Sequence, residues 1–164
     1  MRQRMKSGHV LVTAAILAGA VVVLAGGYVL QPWEGEVPAG ALEAGADDNG
    51  NPLYICVVSN WGGQHPGELA GGGCQVAWGG QAHRFEKDFM VLIGESGNWV
   101  KVGADGIPEG AFRAGGDEDG PMYVCRVEAW GGVHPGKLSE DRWCYVTHDG
   151  GEQPFTEGYE VLVE

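Results

Sequence analysis

Two short acidic turns hold the residues whose types and spacing first suggest chemistry: Asp47-Asp-Asn-Gly50 and Asp117-Glu-Asp-Gly120. Carboxylates alternating ahead of a glycine look like the opening half of a calcium loop, whose early side chains supply oxygen ligands. Val58 stands at the twelfth position counted from Asp47 and Glu128 at the twelfth from Asp117, but neither turn is flanked by a helical pattern, so no metal is expected there. A calcium ion bridging Asp47 and Glu68 is the one variant kept in view. Asp and Asn also cap turns by bonding their own backbone, and Asp-x-Asp-Gly-Pro suits that role without any ligand. His65 and His134 each precede a Pro-Gly pair, and a turn histidine of this kind is expected to be a hydrogen-bonding structural residue.

Catalytic patterns are sparse. Gly94-Glu-Ser-Gly97 lacks the spacing of a nucleophile elbow, because the second Gly follows the Ser directly. Thr147, His148 and Asp149 are consecutive, and neighbouring strand residues point to opposite faces, so they cannot form a triad. With 22 Asp and Glu in the chain, some pair will stand at a glycosidase-like separation whatever the function, so such a pair proves nothing. The expectation is a non-enzyme with no cofactor.

The elements that position these residues come as an internal duplication. Val37-Pro-Ala-Gly-Ala-Leu-Glu-Ala-Gly-Ala-Asp47 matches Ile107-Pro-Glu-Gly-Ala-Phe-Arg-Ala-Gly-Gly-Asp117, and Trp61-Gly-Gly-Gln-His-Pro-Gly67 matches Trp130-Gly-Gly-Val-His-Pro-Gly136. With one residue inserted in each copy, there are 24 identities over the 57-residue span from Val37 to Ile93. Two copies of a unit near 70 residues are too few and too long for a solenoid, so they are expected to pack on each other about a pseudo-two-fold. Residues 53–58 and 122–127 are β-branched and aromatic runs bounded by turn residues, and read as strands with one buried face. Shorter strands are expected at 74–76, 89–93, 144–147 and 159–163. No segment after Leu30 sustains a 3.6-residue period, so the fold class is all-β and antiparallel. Trp33 to Val37 is four residues shorter than Trp99 to Ile107, which leaves the first strand of copy one in doubt.

Residues 10–30 form an uncharged run, long enough as a helix to cross a bilayer, preceded by Arg2, Arg4 and Lys6. Those charges orient the N-terminus to the cytoplasm, so the rest of the chain is expected to be exported. An uncleaved signal-anchor is the first reading and a cleaved signal peptide ending near Val23-Leu24-Ala25 the second. Residues 1–30 are thus assigned to the leader, 31–98 to repeat one and 99–164 to repeat two, the repeats forming one globular unit. In an oxidising compartment Cys56, Cys74, Cys125 and Cys144 favour disulfides over zinc, since no C-x-x-C occurs. Pairing Cys56 with Cys74 and Cys125 with Cys144 is one of three connectivities. The exported part holds seven basic and 22 acidic residues, a net charge of −15 that repels phosphate backbones and excludes nucleic acid as a partner.

Trp99, Ile107-Pro-x-Gly-Ala, Arg113-Ala-Gly-x-Asp117, Asp119-Gly, Tyr123-Val-Cys-Arg126, Pro135-Gly-Lys137, Cys144-Tyr and Tyr159-Glu-Val-Leu162, in that order, resemble the DM-nine repeat. A weaker version covers copy one, so the resemblance spans about residues 33–163. It implies two intertwined antiparallel β-repeats and a lectin-like role, since characterised members bind mannose through the Asp of Ala-Gly-x-Asp and the Lys of Pro-Gly-Lys. Carried over, these are Asp117 and Lys137. Their chemistry suits a sugar: a carboxylate accepts from two vicinal hydroxyls while an ammonium donates to a third oxygen. Trp130 is the aromatic expected to stack on the sugar ring. In copy one Asp47 is kept, but Glu68 stands where the Lys should be, so two carboxylates would face the ligand and a weakened site is expected. The partner is then a glycan, held by a membrane-anchored or secreted module, with homodimer formation left open.

Overall fold

The computed structural model describes residues 21–164, and among these every regular element except one 3-10 turn at Ala25–Gly27 is a β-strand. The first half comprises β1 (Val22–Val23), β2 (Val29–Pro32), β3 (Glu43–Ala46), β4 (Pro52–Asn60), β5 (Gly63–Ala70), β6 (Gly73–Trp78), β7 (Gln81–Phe85) and β8 (Phe89–Ile93). The second comprises β9 (Asn98–Lys101), β10 (Arg113–Asp117), β11 (Gly120–Ala129), β12 (Gly132–Leu138), β13 (Cys144–His148), β14 (Gly151–Phe155) and β15 (Tyr159–Val163). All pairings are antiparallel. In the first half β3 pairs with β4, β4 with β5 and β8, β5 with β6, and β6 with β7. The second half pairs β10 with β11, β11 with β12 and β15, β12 with β13, and β13 with β14 in the same sequence.

Three junctions join the halves. Ala46 of β3 pairs with Val133 of β12, and Gln64 of β5 pairs reciprocally with Gly116 of β10. The third lies between β7 and β14, where Ala82 N donates to Gly150 O and Glu152 N to Gly80 O. With these links the strands close on themselves as a barrel, which removes most free sheet edges.

The first two junctions need glycine. A Cβ at Gly45 would lie 2.0 Å from the Val133 carbonyl oxygen, and one at Gly115 would lie 2.1 Å from that of Gln64. These are the glycines of the two Ala-Gly-x-Asp segments, so that motif serves the close approach of one half's backbone to the other before it serves any ligand.

Three apolar clusters fill the molecule. A central one takes Leu42, Ile55, Val57, Met90 and Leu92 from the first half and Phe112, Val124 and Leu162 from the second. The other two are local: Cys56, Val58, Leu69, Val76 and Phe89 in one half, Cys125, Val127, Leu138, Val146 and Tyr159 in the other. Strands β4 and β11 lie between a local and the central cluster, so both their faces are covered. One buried face was expected of each; Val124 and Cys125, which point opposite ways, are both fully buried. Disulfides Cys56–Cys74 and Cys125–Cys144 lie inside the local clusters and tie β4 to β6 and β11 to β13.

The apolar run expected as one helix over residues 10–30 is divided. Residues 10–20 lie outside the described part. Residues 21–30 contain no α-helix: Val29–Pro32 is a strand registered on β8, and Tyr28 and Leu30 are buried in the central cluster. No described helix is long and apolar enough to cross a membrane. The missing first strand of copy one is therefore β2, starting two residues before the expected domain boundary. Leu30 pairs with Leu92 as Trp99 pairs with Leu162, so the structural counterpart of Trp99 is Leu30 and not Trp33.

Gly115→Ala is expected to lower the melting temperature by more than about 10 °C, because backbone must move to admit the methyl. Gly103, with nothing within 4 Å of its Cβ position, is the control. Thermal melts of Gly115→Ala and Gly103→Ala that coincide would refute the interlocking role of the motif glycine.

Candidate functional site

Asp117 ends β10 and Lys137 sits in β12, and the fold brings both to the wall of one cavity of about 310 Å³. Lys137 is 5% exposed, and among the described residues its ammonium makes no hydrogen bond or ion pair. Burial pushes its pKa below the ordinary lysine value, against the pull of Glu152, Asp117 and Asp141. Asp117 uses Oδ1 to accept the Asp119 N–H at 2.9 Å, which fixes the turn, while Oδ2 has no partner among the described residues. One unpartnered donor on a buried side chain and one free acceptor edge therefore face the same space.

The aromatic wall of the cavity is Trp78, not Trp130. Trp78 belongs to the other half and is 40% exposed. It is held parallel to Trp61, with centroids 4.9 Å apart and planes 6° apart. Trp61 is itself the first central residue of a two-residue hairpin turn with Gly62, both at positive φ, and Asn60 Oδ1 accepts its N–H at 2.7 Å. A tryptophan in that conformation is costly, and Trp130 at the equivalent turn repeats it. Trp130 instead stacks on His148 at 3.8 Å and meets His134 edge-on. His134 bonds Glu68, and a Cβ on Gly131 would touch Asp48, so Trp130 serves the copy-one position. The two halves thus exchange their aromatic side chains. Copy two's sugar-type pair faces copy one's tryptophan.

The copy-one position is closed by its own chemistry. Asp47 Oδ1 accepts the N–H groups of Asn49 and Asn51, and Oδ2 accepts the Asn51 side-chain amide. These bonds, led by the Asn51 side chain, hold the Asp47 carboxyl below its usual pKa. Asn51 is the single residue inserted in copy one relative to copy two. Glu68, expected to leave that site without a cation, is paired instead: His134 Nδ1 lies 3.1 Å from its Oε2, with both side chains nearly buried. The hydrogen bond to Glu68 raises the His134 pKa. With both Asp47 oxygens engaged and Glu68 bonded to His134, the geometry does not suit a calcium ion bridging the two carboxylates. Among the described residues no group of three or more His, Cys, Asp or Glu side chains is placed to hold a metal.

The histidines differ from each other. His134 hydrogen-bonds as expected, while His65 is fully buried with neither ring nitrogen partnered among the described residues. It packs edge-on to Trp61 at 5.3 Å, and burial followed by the nearby Lys137 charge lowers its pKa. Residues that sequence reasoning missed are Trp78, Tyr145 and Glu152 in the cavity and His134 as the partner of Glu68. Trp61 with Trp78 and Trp130 with His148 are flat rings at equivalent positions, which hinted at stacking. Only the pairing between halves decides which charged residue each stack faces.

The His134–Glu68 pair carries a pH prediction. Because the folded pKa of His134 is raised, its stabilisation is fully present below about pH 6.5, the ordinary histidine value, and is lost as pH climbs through the higher folded value. Glu68→Gln should cost about 1.5–3 kcal/mol at pH 5.5 and clearly less at pH 9. Denaturant melts of both proteins at the two pH values measure this; an equal cost at both would contradict the assigned pair.

A family model described as the DM9 repeat matches residues 69–155. The sequence matches no curated protein. Among solved structures, the fold is similar to the crystal structure of the nematode sperm cell motility protein MFP2B, with a TM-score of 0.61 and 15% identity. That alignment covers 88% of this chain but 44% of the other, so this chain spans less than half of MFP2B, and the likeness speaks for the fold alone. With the family model extending over more than half of its residues, the chain belongs to the DM9 repeat family.

Proposed function

We propose that this protein is an exported, non-catalytic, lectin-like module that binds a glycan of mannose type in the Lys137 cavity. One observation carries the reading: the unpartnered ammonium of an otherwise buried lysine and a half-free Asp117 carboxylate face one open space beside an exposed tryptophan. A pyranose fits this set. Vicinal hydroxyls donate to Asp117, a ring or hydroxyl oxygen accepts from Lys137, and the apolar face of the ring lies on Trp78. The cavity volume is at the lower end of that of small-ligand sites. Membership of the DM9 family supports the same assignment, and the closed Glu68–His134 position makes copy one the vestigial member of the pair. The duplicated organisation of the two halves underlies this comparison.

Export is supported by the two disulfides and by the basic residues before the apolar run. Because β1 and β2 occupy Val22–Val23 and Val29–Pro32, the apolar segment ahead of the domain is residues 10–20. That length suits the core of a cleaved signal peptide better than a membrane span, and Ala18-Gly19-Ala20 has the small-residue form of a cleavage site. Cutting at Ala25 would remove β1, so cleavage after Ala20 is the proposal. Sequencing the exported protein should give an N-terminus at Val21; an intact Arg2 segment would restore the anchor.

The binding test is retention of the whole chain on a mannose resin, with titration calorimetry against a mannose oligosaccharide. Lys137→Met and Asp117→Asn should each weaken affinity by about 10- to 100-fold, the value of a charge-assisted hydrogen bond, with melts confirming that each variant folds. If wild type is not retained and binds no saccharide in the calorimeter, or Lys137→Met binds as wild type does, the carbohydrate reading of this cavity fails and a purely structural β-domain remains.

A further inference from the structure

The cavity is more acidic than a neutral sugar requires. Besides Asp117 it is lined by Asp119, Glu140, Asp141 and Glu152, five carboxylates around the single ammonium of Lys137. Asp141 is engaged, accepting from the Tyr145 hydroxyl at 2.6 Å and the Trp143 N–H at 3.0 Å. The carboxylates of Asp119, Glu140 and Glu152 have no hydrogen bond or ion pair among the described residues.

This ring is not a consequence of the fold. The positions aligned with Asp119, Glu140, Asp141 and Glu152 in the first half are Asn49, Gly71, Gly72 and Ala82, all uncharged. Four carboxylates are thus gathered at the one position that keeps the lysine, where their mutual repulsion opposes the folded state unless a cation offsets it. Lys137 alone does not balance them. It is also placed differently: it is 95% buried at the wall, whereas Asp119 and Glu140 are exposed at the mouth. A ligand that satisfies the site presents hydroxyls to the wall and positive charge to the mouth.

We propose that the preferred ligand of this cavity is a saccharide bearing a protonated amine, a hexosamine unit with its amino group free, which it binds in preference to neutral sugars and to the exclusion of acidic ones. The proposal rests on the carbohydrate reading above and names the class of sugar. The ring stacks on Trp78, its hydroxyls bridge Asp117 and Lys137, and its ammonium sits among Asp119, Glu140 and Glu152, each contact being charge-assisted. N-acetylation removes the charge, and a uronic acid reverses it against a site and a domain that are both acidic.

The test is titration calorimetry on the whole chain with tetrasaccharides of glucosamine, N-acetylglucosamine, mannose and galacturonic acid, and with spermidine as an amine that is not a sugar. The glucosamine oligomer should bind at least about tenfold more tightly than the mannose and N-acetylglucosamine oligomers, with the advantage shrinking as salt rises, and galacturonic acid should not bind. Asp119→Asn with Glu152→Gln should reduce that preference, and both positions are exposed or half-buried, so the variant should fold. Mannose and glucosamine binding equally would overturn this inference and leave the carbohydrate reading standing. Spermidine binding as tightly as the amino sugar would overturn the saccharide assignment, and no saccharide binding at all would overturn both.

Discussion

The architecture depends on two places where backbone meets backbone without side chains between. Gly45 lies against the Val133 carbonyl and Gly115 against that of Gln64, each contact joining one half of the chain to the other. A methyl at either would lie about 2 Å from a carbonyl oxygen, far inside van der Waals contact. Because the approach is that close, β3 reaches β12 and β10 reaches β5, and the halves interleave instead of docking as two finished domains. The shared central cluster follows from this: neither half encloses Ile55, Val57 or Val124 alone. Arg126 adds to the junction, its guanidinium over the Trp99 ring, its Nε on Glu160 and an Nη1 donated to the Ala44 carbonyl of the other half.

Interleaving also explains how one duplicated sequence yields two unlike sites. Each position is built from an Asp turn and a β5 or β12 residue together with a stack of rings contributed across the junction. Small changes then have large effects. One inserted residue, Asn51, occupies both oxygens of Asp47. Glu for Lys at residue 68 makes a hydrogen bond with His134 Nδ1 at 3.1 Å in place of a free ammonium. In the other position the Lys137 ammonium stands among acidic side chains, His65 has no partner among the described residues, and the cavity stays open. The geometry that the interlocked halves impose is common to both; the chemistry is set by a few side chains.

Much of this was legible from local pattern. The β-branched runs at 53–58 and 122–127, the turn residues around them and the two spaced cysteine pairs point to short strands tied by disulfides. The burial of both faces of β4 and β11 was not legible, because Arg126 and Glu128 gave β11 an amphipathic look while long-range neighbours decided the covering. Residues 21–30 were misread for a related reason: apolarity does not distinguish a lipid interior from a protein interior, and Leu30 is buried in the second. Asp117 and Lys137 were singled out by their motif, and the fold brings both to one cavity. Trp78 was not, because it enters the site through a pairing between halves that no local signal encodes, and Asn51 looked like a mere gap in an alignment.

The most direct test of the central claim is a crystal structure of the protein soaked with a short saccharide. Sugar density should appear between Trp78, Asp117 and Lys137, with the ring face on the Trp78 indole and hydroxyls within hydrogen-bond distance of Asp117 Oδ2 and Lys137 Nζ. Density beside Trp130 and Glu68 with the Lys137 cavity empty would contradict the account, as would an ordered crystal with no sugar at either position.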